Sequence, residues 1–143
     1  MGIKEKEMRY REALRYLENA AKILSTKAGK EGKYYHDGKY VRMACGTTYN
    51  GTLLALDTFL EIKGKTIKRK KKNSGISVDA YRKKLALIDK KILKTFNTTY
   101  EILHLVGYYE GETNYSVIQA GMDSALHVVN HIKPARLEGI SLN

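Results

Sequence analysis

Seven positive charges crowd ten positions of this chain: Lys63, Lys65, Lys68, Arg69, Lys70, Lys71 and Lys72, with no acid among them. Side chains of this kind neutralise phosphates and release counterions, which provides sequence-independent affinity for a polyanion that falls steeply with salt. Removing those seven from the net charge of +11 leaves +4, so one segment carries most of the excess. Lys65, Lys68, Arg69, Lys70, Lys71 and Lys72 are therefore the candidate nucleic-acid contacts, with RNA or DNA as the ligand and an acidic protein or membrane surface as the other class of partner. The competing reading is a solvated connector, which gains weight because the run holds no aromatic ring to stack on bases.

Rings lie elsewhere. The chain has eleven tyrosines against two phenylalanines and no tryptophan. Tyr34, Tyr35 and Tyr40 flank the entry to one helical segment, and Tyr100, Tyr108, Tyr109 and Tyr115 surround a later connection. Tyrosines at helix ends usually bury the ring and leave the hydroxyl in water. A rim able to stack on a base or hydrogen-bond a phosphate is the functional alternative, and it nominates Tyr35, His104, Tyr108 and Tyr109 as a cleft. His127 and His131 stand four apart, a spacing that can present two imidazoles to one metal, but the glutamate that accompanies such a pair in zinc proteases is missing. Cys45 is the only cysteine, which excludes an intrachain disulfide and a thiolate cluster. No hydrolase triad, carboxylate pair or phosphate loop is spelled out. The expectation is a protein with no catalytic residue, no metal and no cofactor.

The elements that must position these residues follow from apolar spacing. Tyr10, Leu14, Leu17, Ala21 and Leu24 recur at helical intervals and predict a first helix over 4–28, stopped by Gly29. The linker 29–38, with three glycines, is turn chemistry. Val41, Ala44, Cys45, Thr48, Thr52, Leu56, Phe59 and Leu60 predict a second helix from about 38 to 63, closed by Gly64 as the left-handed residue. Ser77 is a good N-cap, with Asp79 in the first turn. From there Val78, Tyr81, Leu85, Ile88, Ile92, Phe96, Thr99 and Leu103 form a heptad-like stripe that predicts one long third helix. It weakens near Gly107, and Asn114 or Thr113 caps a fourth helix that Pro134 ends. Residues 64–76 read as a flexible basic loop. The tail 134–143 carries Leu137, Ile140 and Leu142, which can dock on the bundle.

A length of 143 residues suits one domain, 1–143, with a core that needs no disulfide. The longest apolar runs, such as Leu53–Leu56, are far below the roughly 20 residues that span a bilayer, so no membrane insertion is expected. Charges fill the positions where a signal peptide keeps its apolar stretch, and cytoplasm is the expected location.

Several of these segments resemble HEPN domains, small helical bundles associated with nucleotides and nucleic acids. Tyr40, Ala44, Tyr49, Ala55, Leu56, Phe59, Leu60 and Lys63-Gly64 are similar to that family's second helix. Leu105-Val106-Gly107-Tyr108-Tyr109, then Ser116 to Ala120 and Ala125 to Ile132, are similar to its closing segment. Catalytic members of the family carry an arginine followed four to six residues later by histidine. None of Arg9, Arg11, Arg15, Arg42, Arg69, Arg82 and Arg136 has a histidine at that spacing. The resemblance thus implies an all-α, up-down antiparallel four-helix bundle that pairs as a homodimer and binds or assembles without catalysis. A divergent ribonuclease, a subunit presenting substrate to a separately encoded nucleotidyltransferase, and a structural adaptor for an acidic protein partner are the alternatives.

Overall fold

The computed structural model describes residues 2–68 and 75–134. Arg69, Lys70, Lys71 and Lys72 of the basic run, and Leu137, Ile140 and Leu142 of the tail, lie outside the described residues. The protein is all-α, with one short hairpin among the described residues.

Helix α1 covers Ile3–Ile23 and continues as wider π-helical turns over Leu24–Ala28. Gly29, at a φ of 65°, ends it, as a residue without Cβ does at little cost. Tyr10, Leu17 and Leu24 of the expected stripe are buried, joined by Ala13, Ala20 and Ala28. Leu14 is half-buried and Ala21 is exposed, so the apolar face of α1 is wider than the core it covers. The linker makes a two-stranded antiparallel hairpin, β1 (Lys30–Glu31) and β2 (Tyr34–Tyr35). Its far side is tied to a distant segment: Tyr35 N–H donates to Thr113 O at 2.8 Å, Tyr115 N–H donates to Lys33 O at 2.8 Å, and Tyr34 bridges Asn114.

Helix α2 runs over Gly38–Ile62 with Asp37 as its N-cap, the carboxylate accepting from Lys39 N–H. Gly64 has a φ of 69°, and Lys65 N–H returns to Leu60 O at 2.8 Å, the bond that satisfies a late carbonyl of the helix. The buried side of α2 carries Val41, Ala44, Cys45, Leu56 and Leu60 and is the spine of the core. Three threonines share it. Thr52 and Thr58 satisfy their hydroxyls on the carbonyls of Thr48 and Leu54, as buried hydroxyls in helices do.

The expected third helix is two. Helix α3 (Val78–Ile88) begins at Ser77, whose hydroxyl accepts from Ala80 N–H. It ends at Asp89, where φ −159° and ψ 92° are extended backbone. The Asp89 carboxylate then caps helix α4 (Lys90–Thr99) by accepting from Ile92 N–H at 3.0 Å. Because the break takes a single residue, Ile88 and Ile92 keep the helical interval, and apolar periodicity passes over the interruption unchanged. Five α-helices rather than four are present among the described residues. Helix α4 continues as a ten-residue π-helical segment, Tyr100–Tyr109, so the helix does not weaken at Gly107, and Tyr108 and Tyr109 belong to it rather than to the connection that follows. Helix α5 (Tyr115–His131) starts at Asn114, whose side chain accepts from Val117 N–H at 3.0 Å.

Helix α2 packs against α1, α5 and the π segment, while α4 packs against α5. Glycines set the closest approaches: a Cβ at Gly51 would come within 2.8 Å of Tyr16 and Leu17, and one at Gly107 would meet Cys45 Sγ at 2.5 Å. No helix among the described residues is long and apolar enough to cross a membrane.

Candidate functional site

Two features of the surface have ligand-sized chemistry. The first is a run of rings on the helix formed by α4 and its π continuation. Phe96, Tyr100, His104 and Tyr108 stand four residues apart. In an α-helix of about 3.6 residues per turn such a repeat drifts round the axis. The wider turns of a π-helix hold it closer to one line. Tyr49 of α2 lies beneath, its ring 4.6 Å from His104 and 5.9 Å from Tyr100. His104 is 5.3 Å from Tyr100, parallel to Tyr108 at 6.4 Å, and edge-on to Tyr109 at 4.9 Å. Burial increases outward to inward: Tyr49 is in the core, Tyr100 and His104 are half-buried, and Tyr108 and Tyr109 are 43% and 62% exposed.

Two arginines border this stripe. The Arg82 guanidinium lies 4.8 Å above the Tyr100 ring and donates from Nε to Asn97 Oδ1 at 2.8 Å. Arg42 reaches across from α2 and donates from Nη1 to Tyr108 O at 2.9 Å, placing a cation at the carbonyl end of the π segment. Gly111 leaves the room it occupies, since a Cβ there would meet the guanidinium. Burial lowers the His104 pKa from its ordinary value, which favours the neutral ring.

The second feature is a cleft of about 470 Å³ between α1 and α5. The two helices are joined at one end, where Tyr10 Oη donates to Val129 O at 2.7 Å. The cleft opens further along, its apolar walls formed by Leu14, Leu17 and Ala21 on α1 and Met122 and Leu126 on α5. Its end is polar. Gln119 Nε2 donates to Tyr35 Oη at 2.7 Å, and the Lys30 ammonium lies 4.0 Å from the centroid of the Tyr115 ring. Burial pushes the Tyr35 phenol above its ordinary pKa although Gln119 hydrogen-bonds it.

The expected cleft of Tyr35, His104, Tyr108 and Tyr109 is thereby divided. Tyr35 lines the α1–α5 cleft with Tyr115, whereas His104, Tyr108 and Tyr109 form the stripe with Tyr49 and Tyr100. The division arises because the hairpin seats Tyr35 at the start of α5, through the backbone bonds of Tyr35 to Thr113 and of Lys33 to Tyr115. Tyr49, Arg42 and Arg82, which flank the stripe, were not candidate site residues in the sequence; the four-residue spacing of rings from Phe96 to Tyr108 was a signal for the stripe itself. Of the basic run, Lys63, Lys65 and Lys68 are described and exposed. His131 Nε2 lies 3.4 Å from Asp89 Oδ2 and 6.4 Å, ring to ring, from His127. Among the described residues no group of three His, Cys, Asp or Glu side chains is arranged to hold a metal ion. Cys45 is buried, and burial pushes its thiol up to about 12, so it is a packing residue.

An all-α protein with an aromatic surface stripe and an interhelical cleft is the class these features define. The chain belongs to the family described as Domain of unknown function (DUF5618), whose family model matches residues 8–134. A solved structure described as a protein of unknown function from Dyadobacter fermentans is similar to it, at 39% identity and a TM-score of 0.75 over 89% of this chain and 94% of that one. No curated protein matches the chain.

Proposed function

We propose that the chain is a non-catalytic, HEPN-like binding module that contacts single-stranded nucleic acid, stacking bases on Tyr108 and Tyr109 while the basic run holds the backbone. In this reading α3 and α4, divided only by Asp89, fill the place of one helix in an up-down four-helix bundle. The observation that carries it is the stripe: two exposed tyrosine rings continuous with His104 and Tyr100 and bordered by Arg82 and Arg42. Stacking on aromatic rings is sequence-tolerant, because every base has a π-face, and pairs naturally with a cationic track. The segment that carries the basic run leads directly into α3, the helix that carries Arg82.

Fluorescence anisotropy with labelled single-stranded RNA and duplex DNA tests this reading. Stacking is worth about 1–3 kcal/mol per base. Tyr108→Ala and Tyr109→Ala should each weaken RNA binding by about tenfold. Tyr108→Phe, which keeps the ring, should retain most of it. Both rings are exposed, so circular dichroism should show unchanged helicity. Binding indifferent to both alanine variants would remove the stripe from the interface. RNA cut by pure protein, with cutting lost in His104→Ala, would replace the binding module with a ribonuclease.

A further inference from the structure

The α1–α5 cleft is lined by two acids, Glu18 and Asp123, and one base, Lys30, in a chain of net charge +11. The chain has 26 lysines and arginines against 15 acids, and three of those acids pair with arginines: Glu61 with Arg9, Glu12 with Arg15 and Asp79 with Arg82. Glu18 on the α1 wall and Asp123 on the α5 wall both line the cleft, and neither has an ion-pair partner among the described residues. The one base in the lining, Lys30, turns its ammonium onto the Tyr115 ring. That contact marks the aromatic end of the cleft as a place where a cation is stabilised.

Apolar walls account for the remainder. Leu14 and Ala21 continue the apolar face of α1 beyond the core, and Leu126 is 39% exposed opposite them. A volume of about 470 Å³ falls in the range of sites for small organic molecules. We propose that this cleft binds an amphipathic organic amine. Its apolar body lies along Leu14, Leu17, Ala21 and Met122, and its ammonium lies between Glu18 and Asp123. Two exposed carboxylates beside one apolar space favour a cation over a neutral or anionic analogue of the same shape, through a charge interaction that solvent partly screens. The site is separate from the aromatic stripe, and its failure leaves the nucleic-acid reading untouched.

The probes are 4-phenylbutylamine, 4-phenylbutanol and 4-phenylbutyrate, which share a body and differ in charge. Binding is followed by NMR through the methyl signals of Leu14, Met122 and Leu126. The amine should shift those signals and bind about fivefold more tightly than the alcohol, the size expected from partly screened ion pairs. The butyrate should bind more weakly than both. The E18Q/D123N double variant should bring amine and alcohol to equal affinity. Ala21→Leu, which adds bulk at an exposed position, should weaken both while leaving RNA binding as in the wild type. Equal affinity for amine and butyrate in the wild type, an amine preference that survives E18Q/D123N, or methyl signals that do not move would overturn the proposal.

Discussion

His104 shows how position alone turns an ordinary side chain into a sensor. It is half-buried among the rings of Tyr49, Tyr100, Tyr108 and Tyr109, and desolvation lowers its pKa below that of an unfolded histidine. The unfolded chain therefore takes up its proton first as pH falls. Folding stability from this residue is complete above the unfolded value of about 6.5 and is lost as pH drops through it towards the lower folded pKa. His104→Phe keeps an aromatic ring and cannot titrate. In urea denaturation series at several pH values, wild type should lose stability relative to His104→Phe on acidification, with no such divergence above neutrality. Three residues of the stripe, His104, Tyr108 and Tyr109, were legible in the sequence as candidates. Their grouping was not, because the pairing of Tyr35 with Tyr115 depends on backbone bonds between segments about eighty residues apart, which no local spacing reports.

At the scale of elements, caps were read more reliably than lengths. Ser77, Asn114 and the terminal glycines Gly29 and Gly64 all act where their chemistry places them. Asp89 was missed because a one-residue break leaves the apolar stripe in phase, and only its carboxylate on Ile92 N–H reveals a new helix start. Asp89 also lies 3.4 Å from His131 Nε2, so it links the start of α4 to the end of α5. Asp89→Ala should lower stability by about 1 kcal/mol, the usual cost of an N-cap. Asp89→Asn, which can still accept from Ile92 N–H, should recover most of it in the same denaturation assay. The π-helical segment was equally out of reach, since no residue in Tyr100–Tyr109 forbids an ordinary α-helix. The segment packs against α2, where Gly107 lets it approach Cys45 closely.

For the whole molecule, charge and chain order dominate. Seven of the bases behind the +11 net charge lie in one connection, of which Lys63, Lys65 and Lys68 are exposed. Replacing Lys68, Arg69, Lys70, Lys71 and Lys72 with serine should reduce the salt dependence of single-stranded RNA binding. If all five contact phosphates, the log–log slope should fall by about 3.5, at roughly 0.7 per phosphate. An unchanged slope in an anisotropy salt series would mark the run as a solvated connector. The all-α class followed from periodicity, whereas the α1–α5 cleft did not, because apolar spacing predicts which face of a helix is covered but not where two helices part.

The hairpin has a consequence for synthesis. Its partner backbone, Thr113 to Tyr115, emerges from the ribosome long after β1 and β2, and so does Gln119, which satisfies the Tyr35 hydroxyl. Until then the strand edge at Tyr34 and Tyr35 is an open pairing surface beside an exposed apolar face of α1.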